Sequence, residues 1–188
     1  ARPRAACADA DGDGWLDLFI TNYETKFGGP IRPDRLYFNA GDGTFREPLV
    51  PAGKDNWAAR GANWADFDND GDQDLYVSNY RLMPNALWVN NGNGTFEEQA
   101  ERRGVAGDAR AGKQPASKWY SEYEYTGHTI GSVWGDLDND GHLDLVVVNF
   151  SHRPKWQNRV QVCLNSGPPD YTFRNINRNA QAGIYWQE

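Results

Sequence analysis

Asp66-Phe67-Asp68-Asn69-Asp70-Gly71-Asp72-Gln73-Asp74-Leu75 decides the fold, because the chain writes this pattern three times in 188 residues. The other copies are Asp9-Ala10-Asp11-Gly12-Asp13-Gly14-Trp15-Leu16-Asp17-Leu18 and Asp136-Leu137-Asp138-Asn139-Asp140-Gly141-His142-Leu143-Asp144-Leu145. Each is followed by a short apolar run ending in Asn, at Asn22, Asn79 and Asn149. The copies start 57 and then 70 residues apart. Repetition at this period marks an architecture of stacked supersecondary units.

A second block recurs downstream of each loop. It reads Leu36-Tyr37-Phe38-Asn39-Ala40-Gly41-Asp42-Gly43-Thr44-Phe45, then Leu87-Trp88-Val89-Asn90-Asn91-Gly92-Asn93-Gly94-Thr95-Phe96. The third copy keeps Val162-Cys163-Leu164-Asn165 and Thr172-Phe173, with two extra residues in the turn. No long stretch has helical period, and the short apolar runs read as strands. Strand A precedes each Asp loop, over residues 62–65 and 132–135. Strand B covers 18–21, 75–78 and 145–148. Strand C covers 36–38, 87–89 and 160–164, and strand D opens at Phe45, Phe96 and Phe173. Gly and Asn in the C–D turns supply the positive φ that tight hairpins require.

A four-stranded unit of roughly sixty residues is the size of a propeller blade. The expected fold is all-β, with three four-stranded blades of a larger β-propeller. Blade 1 spans 1–49 and is incomplete at its start. Blade 2 spans 50–105, an aromatic insertion or connection spans 106–130, blade 3 spans 131–178, and a further blade opens over 179–188. Three blades do not close a ring, since propellers have at least four. The remaining blades are therefore expected from the same, longer polypeptide.

Numbered from its first Asp, each loop carries carboxylates at positions one, three, five and nine. These are Asp9, Asp11, Asp13 and Asp17; Asp66, Asp68, Asp70 and Asp74; and Asp136, Asp138, Asp140 and Asp144. Four like charges so close repel one another unless a cation sits among them. Hard oxygen ligands on a flexible loop suit Ca²⁺, whereas Mg²⁺ takes fewer carboxylates and keeps its water. Glycine at position six permits the turn that gathers the ligands. Position seven, occupied by Trp15, Asp72 and His142, is expected to ligate through its main-chain carbonyl, which leaves its side chain free to vary. An EF-hand needs Glu at position twelve and helices on both sides. Position twelve here is Ile20, Val77 or Val147, inside a strand. Three Ca²⁺ sites are expected.

Through its Asp-x-Asp-x-Asp-Gly-x-x-Asp-Leu core and its Asn-x-Gly-x-Gly-Thr-Phe turn, the sequence resembles the FG-GAP/VCBS repeat family over nearly its whole length. That resemblance implies a β-propeller, usually seven-bladed, related to the integrin α-subunit head. It implies Ca²⁺ in the A–B loop of each bearing blade. It also implies an extracellular, cell-surface or periplasmic protein that binds glycans or proteins. Cys7 departs from the pattern, standing where the later units have Trp64 and Trp134.

A net charge of -7 argues against nucleic acid as a partner, and no apolar run is long enough to span a bilayer. Cys7 and Cys163 fit no zinc or redox spacing and read as two small buried thiols. No nucleophile elbow, zinc-protease pair or phosphate loop is present. His128 reads as an inert surface histidine, and no catalysis is expected. The alternatives are a structural subunit of a large extracytoplasmic assembly, or the non-catalytic part of a secreted polysaccharide-active enzyme. In a four-stranded blade the A–B and C–D turns share one face, and the B–C and D–A connections share the other. All nineteen Lys and Arg are assigned to the second face or its edge, and the loop aspartates load the first. The expected partner is an acidic glycan or a protein on the face opposite the calcium loops. Arg81, Trp119, Tyr120, Arg153, Lys155 and Trp156 are the candidate contacts, with Trp57 as a further anchor.

Overall fold

The structure is a computed structural model that describes residues 4–23, 29–46, 57–109, 125–150 and 160–176. It is built from antiparallel meanders laid down in chain order. The first sheet holds β1 (Arg4–Ala8), β2 (Asp17–Thr21) and β3 (Arg35–Tyr37). The second holds β4 (Ala59–Ala65), β5 (Asp74–Asn79), β6 (Ala86–Asn90) and β7 (Phe96–Glu98). A one-turn helix, α1 (Ala100–Arg103), follows β7. A two-stranded ladder of β8 (Asp108–Ala109) and β9 (Tyr125–Thr126) then closes the base of the insertion. The last sheet holds β10 (Thr129–Gly135), β11 (Asp144–Asn149), β12 (Gln161–Asn165) and β13 (Phe173–Asn175).

Strands B and C fall where the apolar runs place them, each within a residue or two. Two expectations change. The A strands β4 and β10 begin three residues earlier than the apolar runs suggest, at Ala59 and Thr129. Each carries a register shift, between Ala59 and Gly61 and between Thr129 and Gly131. A bulge inserts an extra residue and breaks the period-two pattern on which strand reading depends. Among the described residues the first unit pairs three strands, and its D position is the single bridge between Asn39 and Phe45.

The A strands run in succession, with β4 lying against both β1 and β10. Asn63 joins β4 to β10 by donating from Nδ2 to the Ser132 carbonyl at 2.8 Å. Behind them the core divides into two interblade clusters. Phe19 and Leu36 of unit 1 pack with Trp57, Leu75, Val77 and Trp88 of unit 2. Tyr76, Leu87 and Val89 of unit 2 pack with Leu145, Val147, Cys163 and Phe173 of unit 3. One joint is repeated. Trp64 of β4 meets Phe19 of β2 edge-on at 6.4 Å, and Trp134 of β10 meets Tyr76 of β5 edge-on at 6.0 Å. Edge-to-face geometry lets a positive ring edge meet a negative face. Cys7 holds the equivalent place in β1, across from Leu18. It is exposed, while Cys163 is buried, so only one of the two thiols matches the expectation. Trp57 is 4% exposed and belongs to the core, which removes it as a surface anchor.

Candidate metal centre

The Asp loops join A to B in each unit, and their hydrogen bonds repeat almost atom for atom. The position-one carboxylate caps the turn. Asp66 Oδ1 accepts the Asp70 amide and Oδ2 accepts the Gly71 amide, both at 3.1 Å. Asp9 and Asp136 do the same for Asp13 and Gly14, and for Asp140 and Gly141. Position five accepts from position seven, as in the Trp15, Asp72 and His142 amides donating to Asp13, Asp70 and Asp140 at 2.9 Å. Glycine at position six has φ of 91°, 96° and 89°, a region that side chains resist. Position four is also left-handed, as Gly12, Asn69 and Asn139. Sequence reading passed over that position, although its restriction to Gly and Asn is the signal.

Position nine is the structural anchor. Asp17, Asp74 and Asp144 are fully buried. One oxygen of each accepts the position-two amide, from Ala10, Phe67 or Leu137. The other accepts the strand-C amide of Asn39, Asn90 or Asn165 at 2.8 Å. These asparagines were legible as a repeat, but their work was not. Asn90 Nδ2 donates to the carbonyl of Ala10 in the preceding unit's loop at 2.8 Å. Asn165 Nδ2 donates likewise to Phe67 at 3.0 Å. The position-two carbonyl of one loop is thereby tied to the position-nine carboxylate of the next. His142 adds a second link, its Nδ1 lying 3.4 Å from Asn69 Nδ2. The position-seven side chains also cover the C–D turns. A Cβ on Gly41, Gly92 or Gly167 would collide with Trp15, Asp72 or His142.

Asp9, Asp11 and Asp13 converge so that one oxygen from each lies within 4.8 Å of the others, as do those of Asp66, Asp68 and Asp70. In the third loop the converging set is Asp136, Asp138 and Asp144. The oxygens that converge thus come from positions one, three and five in two loops, and from one, three and nine in the third. Asp17, Asp74 and Asp140 stand beside these sets. Buried Oδ1 atoms of Asp11 and Asp68 have no hydrogen-bond partner among the described residues. A carboxylate oxygen aimed inward without a donor is what a cation site requires, so the residues fit a metal. The electrostatics agree. Burial first, then the charges of Asp68 and Asp70, push Asp74 up to about 8. Desolvation, then the charge of Asp70, raises Asp68, with Arg103 pulling the other way. Burial raises Asp17, with Asp11 and Asp13 adding to it. A bound cation reverses this logic by favouring the charged forms.

Two arginines correct the assignment of every basic residue to the opposite face. Arg46 follows the Asn39–Phe45 bridge and reaches the first loop, with Nη2 at 2.5 Å from Asp11 and 3.9 Å from Asp13. Arg103 of α1 donates from Nη1 to the Asp170 carbonyl in the third unit's C–D turn. Its guanidinium also lies 5.3 Å from the Phe67 ring. His128 is 7% exposed, not a surface residue, and its ring lies 4.6 Å from that of Tyr80. Among the candidate partner contacts, Arg81 lies after β5 and donates from Nε to the Tyr23 hydroxyl at 3.1 Å. Trp119, Tyr120, Arg153, Lys155 and Trp156 lie outside the described residues, as does the tail over 179–188.

Repeated blade-like sheets carrying Asp-rich A–B loops define a class of propeller-type repeat protein. The model for the FG-GAP-like repeat matches residues 9–77 and 66–147, and the chain belongs to that family. Cartilage acidic protein 1 of Mus musculus is 26% identical over 152 residues, covering 78% of this chain. The Homo sapiens protein is 25% identical over the same length. The chain spans 21% and 20% of these two relatives. A solved structure of an Agrocybe aegerita lectin, described by its recognition of non-reducing terminal N-acetylglucosamine, matches with a TM-score of 0.51. It is 19% identical, and the match covers 92% of this chain and 37% of the lectin chain. No helix among the described residues is long and apolar enough to cross a membrane.

Proposed function

We propose that this chain is a calcium-binding β-propeller module that recognises a protein or glycan partner outside the cytoplasm and performs no catalysis itself. The observation carrying the reading is the convergence of three carboxylates in each loop, with buried oxygens of Asp11 and Asp68 left without donors. Positions one, three, five and nine would hold Ca²⁺, with the carbonyls of Trp15, Asp72 and His142 beside them. The ion would neutralise the loops and hold the A–B turns in place. Loops of this kind fill at the high free calcium outside cells, which supports an extracellular, cell-surface or periplasmic site. The lectin with a similar fold brings a glycan into consideration as the partner.

Calorimetric titration of the metal-free protein with Ca²⁺ tests this reading. Three sites are expected, and Asp68→Ala should remove or weaken one. At free calcium 100-fold above Kd, each site adds about 2.7 kcal/mol to stability. Chelation should therefore lower the melting temperature. A flat titration, with no shift on chelation, would overturn the proposal.

A further inference from the structure

At the end of the sheets opposite the Asp loops, Arg60 of β4 sits in the corner of an edge-to-face tyrosine pair. Its guanidinium lies 4.3 Å from the Tyr23 ring and 4.7 Å from the Tyr80 ring, and the two rings are 6.2 Å apart at 64°. Tyr23 follows β2 of unit 1 and Tyr80 follows β5 of unit 2, so the corner lies between units. The π faces hold the cation but accept none of its in-plane N–H groups. Among the described residues Arg60 has no carboxylate partner, and its buried Nε donates to nothing. Nε is closed to solvent, so the Nη groups are the donors left to meet a ligand, and a pair of them can grip a planar carboxylate end-on with two parallel hydrogen bonds.

The neighbouring chain is bent to serve the same corner. Arg81 and Leu82 both have left-handed φ, at 60° and 61°. Neither is glycine, so the conformation is strained and needs support. Leu82 supplies it, being 1% exposed and donating its amide to the Gly127 carbonyl at 2.8 Å. The turn thereby brings the Arg81 guanidinium to 5.9 Å from the same Tyr23 ring that Arg60 meets, with its Nε donating to the Tyr23 hydroxyl.

We propose that this corner binds the carboxylate of a uronic-acid-containing glycan. Arg60 grips the carboxylate in plane, Arg81 adds a second positive charge, and the tyrosines border the sugar. Among the described residues the corner gathers two cations, Arg60 and Arg81. A protein surface of ordinary interface size covers about 800 Å² per partner and would call on charges spread far more broadly. The inference rests on the reading of the chain as a recognition module and names the ligand class and the site.

Isothermal titration of the calcium-loaded protein would use three probes. These are a glucuronate-containing tetrasaccharide, the same tetrasaccharide with its carboxyls reduced to alcohols, and a polyglutamate peptide. The acidic tetrasaccharide is expected to bind, and carboxyl reduction should weaken it at least tenfold. Arg60→Met should lose at least tenfold, Arg60→Lys should lose less, and Asp42→Lys on the loop face should change nothing. Melting curves and the calcium titration of each variant report whether it is folded. If Arg60→Met does not fold, Arg60→Lys and the carboxyl-reduced probe decide the matter. Equal binding of the reduced sugar, full affinity in both Arg60 variants, or preference for polyglutamate each overturns the proposal. So does silence from all three probes. In that case an intact calcium titration leaves the module reading standing and removes only this site.

Discussion

Units 1 and 2 build the same loop from the same hydrogen bonds, yet differ in what surrounds it. In both, position one caps the turn and position nine ties it to the strand-C asparagine. Around that shared frame, unit 1 has Cys7 where unit 2 has Trp64. It has Asp34 where unit 2 has Asn85, and Arg46 where unit 2 has Glu97. The loop geometry is therefore intrinsic to the ten-residue motif. These differences between the two units lie outside it.

The largest expected difference is at the joint. Trp64→Ala removes the ring packed between Phe19 and Phe96 and should cost about 3 kcal/mol. Cys7→Ala, at an exposed position, should stay within about 0.5 kcal/mol. Urea denaturation of the two variants at saturating calcium measures the contrast. Equal losses would mean that the aromatic joint does not hold the units together.

The next difference concerns pH. Asn79 donates its amide to Asn85 Oδ1 at 2.8 Å, and Asn22 donates to Asp34 Oδ1 at 2.6 Å. The two sites match, except that Asp34 can ionise. Burial pushes its carboxyl from 3.8 up to about 7. Between those values the fold keeps a proton that the unfolded chain has lost. The resulting stability is complete below the lower value and disappears as pH rises through the upper one. After allowing for partial exposure, the loss is about 2 kcal/mol. Asp34→Asn installs the residue unit 2 already uses and should flatten melting temperature against pH over that window. An unchanged pH profile would show that Asp34 stays ionised in the fold.

The smallest effect is on affinity. Arg46 occupies part of the first loop's negative field, and its exposed ion pair is worth up to about 1 kcal/mol. On the proposed reading, calcium entering the loop would compete with it there, whereas Glu97 at the matching place offers no such cation. Arg46→Ala should tighten the first site roughly threefold to fivefold. Terbium luminescence excited through Trp15, the aromatic position-seven residue of that loop, would follow the first site. Weaker or unchanged binding would place Arg46 outside the competition.

The loops and strands B and C could be read from residues alone, because their signals are local. Fixed Asp spacing, Gly at position six and the apolar run from Leu75 each act within a few residues. What escaped is what depends on distance or on irregularity. The bulges near Gly61 and Gly131 hid the starts of β4 and β10. Arg46 and Arg103 crossed to the loop face because long side chains reach well beyond the backbone that anchors them. The buried state of His128 depends on Tyr80, far away in sequence. The asparagines at 39, 90 and 165 were visible as a repeat, yet Asn90 and Asn165 each spend a side-chain donor on a carbonyl of the preceding unit, far away in sequence.

Those asparagines also give the array a direction. Each unit exposes a position-two carbonyl as a socket, and the following unit brings the plug, as Asn90 does for Ala10 and Asn165 does for Phe67. Plug and socket sit in different units, so duplicating one unit copies both halves of the connection at once. A blade grafted behind unit 3 would have to place an asparagine opposite the Leu137 carbonyl, whatever the rest of its sequence. A blade joined in reverse order would bring two sockets or two plugs together. Such a design inherits a grammar in which order along the chain is written by one side chain per unit.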